Sequence, residues 1–156
     1  MPGMLARGHA WIRLAQLRSK AALLYRGGEH DGAAAVLQQM IAQDLQLGLN
    51  ADATLRARQA VALGVAHDQI SPTALALYAL ALLQSGDLVQ AQHAALIARD
   101  AAETTTQPSA AAAADLLLGK IALLAGDLDD GRQALQRCRS AALQLGQVRL
   151  AALALA

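Results

Sequence analysis

Two apolar stretches, Ala74 to Leu83 and Leu116 to Leu124, run into the same short string. Gly86-Asp87-Leu88 follows the first and Gly126-Asp127-Leu128 the second, forty residues further on. Turn signals recur along the chain at Gly27-Gly28, Gly48-Leu49-Asn50, His67-Asp68, Gly86-Asp87, Thr106-Gln107-Pro108, Gly126-Asp127 and Gly146, close to twenty residues apart. Each interval holds a helix of about four turns and a short loop. The pattern predicts eight helices over 8–26, 30–47, 51–65, 72–85, 88–104, 109–125, 128–145 and 148–156. Glycine stands where a left-handed C-cap is needed, and Asp87 and Asp127 follow as N-caps. Pro72 and Pro108 fall in first turns, where a missing N–H is tolerated. A helix–Gly-Asp–helix unit recurring at a fixed interval marks a stacked helical repeat, so the expected fold is an all-α solenoid.

Composition sharpens this. Apolar residues make up 55% of the chain, but aromatics only 2%, with no Phe, so the apolar mass is Ala and Leu, both strong helix formers. Helices with so few large side chains are expected to approach closely. Lys and Arg total 13 against 12 Asp and Glu, which gives no general push toward nucleic acid. The distribution is less even: residues 1–26 carry Arg7, Arg13, Arg18, Lys20 and Arg26 with no acid. An Arg-rich, acid-poor start suits a transit peptide or a membrane-surface helix. The preferred reading is the solvated face of a first repeat helix, because Trp11, Ile12, Ala15, Ala22 and Tyr25 fit one buried stripe for it. The longest apolar run, Ala74 to Leu83, is half of the roughly 20 residues a bilayer span needs, so no membrane span is expected. Cys138 stands alone, which excludes a disulfide framework and fits a reducing cytoplasm.

The catalytic inventory is empty, and a non-enzymatic role is expected. His9, His30, His67 and His93 are scattered without metal-ligand spacing. Asp127, Asp129 and Asp130 read as first-turn acids at a helix N-terminus, without the spacing of a calcium loop. Serines 19, 71, 85, 109 and 140 lack nucleophile-elbow surroundings, and no phosphate-cradling glycine string occurs, so no cofactor is expected. Arg132, Arg137 and Arg139 could lower the Cys138 thiol pKa, but its repeat position favours a buried, inert thiol. The same arginines with Arg149 form a basic cluster without stacking aromatics, a poor nucleic-acid surface.

The residues around the two Gly-Asp turns resemble tetratricopeptide repeats. Gly119 and Gly131, and in the preceding unit Ala79 and Ala91, fall where that family's paired helices cross and only small residues fit. Leu135 and Cys138, like Ala95 and Ala98, take its apolar positions. A degenerate earlier copy places Ala53, Ala57 and Ala60 correctly but leaves Asp44 where an apolar residue belongs. A competing register through Gly28 uses Ala21, Ala33, Leu37 and Met40. The preferred organisation is a single domain, 1–156, with a capping helix over 8–28, helix pairs over 30–66, 72–104 and 109–145, and the start of a further or capping helix over 148–156. The period of 38 to 40 and the missing aromatics are similar to the longer repeats in the sensor region of LuxR-type (MalT-like) regulators.

The resemblance implies a concave groove lined by first helices. Here that face is Thr73, Ala76, Leu80, Leu83 and Gln84 in one unit and Ala113, Leu116, Lys120, Leu123 and Leu124 in the next. Its apolar character suits an amphipathic or apolar segment of a protein or peptide partner. The alternative is an effector-sensing segment of a larger LuxR-type transcriptional regulator. Leu150, Leu153 and Leu155 form an end ring without a polar outer face, from which self-association through the last helix is expected.

Overall fold

The computed structural model of the chain describes residues 2–66 and 70–155, excepting the side chains of residues 2–6, 25, 30 and 31. It is all-α, with no strand among the described residues. The helices are α1 (Pro2–Arg26), α2 (His30–Gln46), α3 (Asn50–Ala66), α4 (Pro72–Gln84), α5 (Leu88–Thr104), α6 (Pro108–Leu124), α7 (Leu128–Gln144) and α8 (Val148–Leu153). Each follows the apolar–polar pattern to within a residue or two, except α1, which begins well before residue 8, and α8, which ends three residues short of the expected 156. The turn expected at His67–Asp68 lies outside the described residues. The chain divides into two compact units, 1–69 and 70–156.

One turn, used repeatedly, sets the beat. The backbone N–H of Glu29, Leu49, Asp87, Gln107, Asp127 and Gln147 each donates to the carbonyl five residues earlier, at 2.8–3.0 Å. The preceding residue has positive φ in every case: Gly28, Gly48, Gly86, Gly126 and Gly146, with Thr106 (φ 54°) filling the role in the α5–α6 turn. This is the Schellman closure of a helix. The carbonyl of the same six residues then accepts from the N–H four residues on, at Ala33, Ala53, Ala91, Ala111, Gly131 and Ala151, and so starts the next helix. All six are Ala or Gly. One turn therefore delivers a small residue to the first turn of each following helix, where neighbouring backbones come together.

Capping only partly follows expectation. Asp87 accepts from the N–H of Gln90 at 3.2 Å, and Ser71 from that of Ala74 at 3.2 Å. Asp127 makes no such cap. Its carboxyl is instead hydrogen-bonded with Asp130, and the negative charge of Asp127 raises the Asp130 pKa.

In the first unit α2 packs against both α1 and α3. Leu14 and Leu17 of α1 meet Val36 and Met40 of α2, with Ala21, Leu24 and Leu37 alongside. The buried stripe expected on α1 is corrected here: Trp11 (50% exposed), Ile12 (59%), Ala15 and Ala22 face outward, and Leu14 and Leu17 are the inward residues. The side chain of Tyr25 lies outside the described residues. Trp11 is three residues from Leu14, but Ile12, Ala15 and Ala22 lie on the other side of the helix, so they could not share its buried face. Between α2 and α3, Ala53, Ala57 and Ala60 are buried as the repeat pattern requires.

In the second unit successive helices pack side by side, and α4 also touches α6 across the pair to which α5 belongs. That contact between alternate helices makes the unit a stack of helix pairs. Its main core joins Ala79, Leu82, Ala91, Ala94 and Ala95 with Leu117, Leu118, Ile121 and Ala134. A second cluster joins Leu116, Cys138 and Ala154.

Candidate interaction surfaces

The two equivalent faces on α4 and α6 sort by depth. Thr73, Gln84, Lys120 and Leu124 (66% exposed) stand outermost. Ala76, Leu80 and Leu83 are half-buried against the main core, and Ala113 is half-buried as well. Leu116 is core, sealed against Cys138 and Ala154. Leu123 is 39% exposed and lies over Gly131, its Cδ2 2.8 Å from the point a Cβ there would occupy. Of the residues expected to line the groove, then, Leu116 belongs to the core and the others range from half-buried to exposed.

Leu123 also opens onto a neighbouring recess of about 350 Å³. Its lining includes Leu128, Leu135, Ala154 and Leu155, with Arg132 and Arg139 among the polar members. Leu128 and Leu155 are strongly exposed. Oily walls with guanidinium groups beside them suit a segment that is apolar on one side and acidic at its edges. In the C-terminal ring Leu153 and Leu155 are exposed, while Leu150 is half-buried against the Cys138 cluster.

A more polar cleft of about 480 Å³ lies among α5, α6 and α7. Leu118, Ile121 and Ala134 contribute its apolar lining, and Gln92, Arg99, Asp127, Asp130, Gln133 and Arg137 its polar groups. Arg99 and Arg137 are both anchored by the nearly buried Asp115, their Nε atoms 3.5 and 3.3 Å from its Oδ1. Arg99 also meets Glu103 at 3.4 Å. Burial pushes the Asp115 carboxyl pKa up, and the two arginines oppose that rise. Of the arginines suggested as a basic cluster, Arg137 is therefore committed to Asp115.

This buried carboxylate was not anticipated from the chain. Its signal was a lone acid inside the apolar run 110–118. Asp44 is the parallel case in the first unit: it is fully buried on α2 and ion-paired with Arg56 of α3.

Cys138 is buried, and burial first, then the charge of Asp115, raises its thiol pKa. The neighbouring arginines do not activate it. His9 and His93 are exposed, while His67 and the side chain of His30 lie outside the described residues. Among the described residues no group of three or more His, Cys, Asp or Glu could hold a metal ion, and no helix is long and apolar enough to cross a membrane. Comparison with known proteins gives no matching family model and no matching curated sequence.

Proposed function

We propose that the chain is a non-enzymatic, tetratricopeptide-like interaction module that binds an apolar or amphipathic segment of a partner protein along the α4–α6 face. The observation that carries this reading is exposed Leu123 opening onto the recess lined by Leu128 and Leu155, with Leu124 exposed next to it on α6, on helices that stack as repeated pairs. Contiguous exposed apolar surface with polar neighbours is what a recognition face presents. Lys120, Arg132 and Arg139 favour acidic flanks on the bound segment. The buried lone thiol fits the reducing cytoplasm, and exposed Leu153 and Leu155 support self-association, which sedimentation over a concentration series tests.

Leu80 and Leu83 are half-buried, so the informative probes are Leu124→Glu and Lys120→Glu, whose side chains are exposed. Peptides selected from a displayed library of amphipathic helices should bind the intact chain. They should lose about tenfold or more in affinity with Leu124→Glu, since burial of one leucine is worth roughly 1.5–3 kcal/mol. Equal binding to the variant would remove the face from consideration.

A second reading is favoured by the α5–α6–α7 cleft: an effector-sensing segment of a larger LuxR-type regulator. With Arg99 and Arg137 among its cationic groups and Asp127 and Asp130 among its anionic ones, the cleft suits a small ligand carrying both charges. A metabolite that raises the melting temperature of the intact chain but not of Arg137→Gln supports this reading, by stabilisation of about 2.7 kcal/mol at a hundred times Kd.

A further inference from the structure

The helix α1 carries two apolar faces, and only one is used inside its unit. Leu14, Leu17, Ala21 and Leu24 turn toward α2. Trp11, Ile12 and Leu23 (50, 59 and 69% exposed) stand away from it. Cations border this second face on both sides. Arg13 and Lys20, seven residues apart, return to one boundary, and Arg7 and Arg18, eleven apart, to the other, all exposed, while Arg26, also exposed, falls within the face in the last turn of the helix. The helix has no acid anywhere along its 25 residues.

We infer that the outward face of α1 docks on an anionic lipid surface. Indole and aliphatic groups enter the boundary between headgroups and acyl chains, while flanking Lys and Arg reach sideways to lipid phosphates. Cations on both borders meet that geometry, because a helix lying flat on a membrane has lipid headgroups along both edges. A second copy of the chain using the same face would set one uncompensated row of cations against another, so charge disfavours it. Nucleic acid would match the charge but leave Ile12 and Leu23 without an apolar partner. The contact is interfacial, since no described helix can cross a bilayer. It is also independent of the α4–α6 face.

Trp11 is the sole tryptophan of the chain and reports on the contact directly. The full chain is mixed with vesicles of phosphatidylcholine containing phosphatidylglycerol, and with vesicles of phosphatidylcholine alone. Trp11 emission should shift to the blue, and the protein should sediment with the anionic vesicles only. Binding should weaken about tenfold or more at high salt, where screening shortens to a few ångström. Leu23→Asp should abolish the shift with helix content unchanged by circular dichroism. The pair Arg13→Glu and Lys20→Glu should do so without touching an apolar residue, and Leu124→Glu should leave vesicle binding intact. The proposal is overturned if anionic vesicles leave the emission unchanged, or if neither set of α1 variants affects binding. A blue shift that grows with protein concentration in the absence of lipid would assign the face to a second copy instead. A shift produced by an acidic amphipathic peptide but not by vesicles would assign it to a protein partner.

Discussion

Gly119 of α6 and Gly131 of α7 face each other at the crossing of their helices: the carbonyl oxygen of each is 3.2 Å from where the other's Cβ would stand. The same two places in the α4–α5 pair are held by Ala79 and Ala91, both fully buried. Close backbone approach thus replaces large side chains as the means of packing in a chain without Phe.

The two glycines are not equally replaceable. A Cβ at Gly119 would sit 2.6 Å from Cγ of Leu135, a half-buried side chain wedged beside the Cys138 cluster. Overpacking of this kind is worth about 1–3 kcal/mol, more than the roughly 1 kcal/mol that Ala gains over Gly in a helix. Gly119→Ala should therefore lower stability in urea denaturation. At Gly131 the obstacle is Leu123, which is partly exposed and free to swing outward, so Gly131→Ala should be near neutral. Equal losses at both positions would contradict this account of the crossing.

Thr106 is the exception among the helix-closing turns, a β-branched residue at φ 54° where the others use glycine. A non-glycine residue in this region carries strain of about 1–2 kcal/mol, and glycine gives part of that back as entropy of the unfolded chain. Thr106→Gly should raise stability by about 0.5–1 kcal/mol, read as a higher melting temperature. A lower one would mean that the threonine side chain contributes more than its backbone strain removes.

Much of this fold was legible along the chain because one chemical device repeats. A positive-φ glycine followed five residues later by a small residue leaves a mark at every such turn but that of Thr106, as at Gly86 with Ala91 and Gly126 with Gly131. The α1 face was misread because apolar residues stand on both sides of that helix, Leu14 and Leu17 on one and Ile12 and Leu23 on the other, and only the position of α2 chooses between them. The partners of Asp44, which stood out only as an acid at an apolar position, and of Asp115 were missed for a different reason. A buried acid is tolerated only when a cation from another helix reaches it, and Arg56 and Arg137 lie 12 and 22 residues away in sequence.

Cys138 should be nearly silent toward thiol reagents in the folded protein. It is buried, and its pKa is raised by burial and by Asp115, so little reactive thiolate forms near neutral pH. Labelling with a disulfide reagent should stay far below one equivalent in native buffer over the period in which it completes in denaturant. Rapid native labelling would place the thiol at the surface and undo the cluster of Leu116, Cys138 and Ala154.

The ion pair of Asp44 and Arg56 gives a sharper test, because its charge balance depends on pH. Burial raises the Asp44 pKa, and the hydrogen bond and charge of Arg56 pull it partway back. A carboxyl raised in the folded state binds its proton more tightly there than in the unfolded chain. Its contribution is fully present below the ordinary aspartate range and is lost as pH rises through the folded value. Relative to Asp44→Asn, the natural protein should therefore gain stability as pH falls from neutral toward 4. Arg56→Met strands a buried carboxylate and should lose about 3–5 kcal/mol at neutral pH, while the double variant Asp44→Leu with Arg56→Met should recover most of it. Without Arg56 the Asp44 pKa climbs further, so the single variant should regain a large share of its loss in urea titrations near pH 4.5. If its deficit is the same at both pH values, the loss comes from packing of the arginine stem and not from an uncompensated charge.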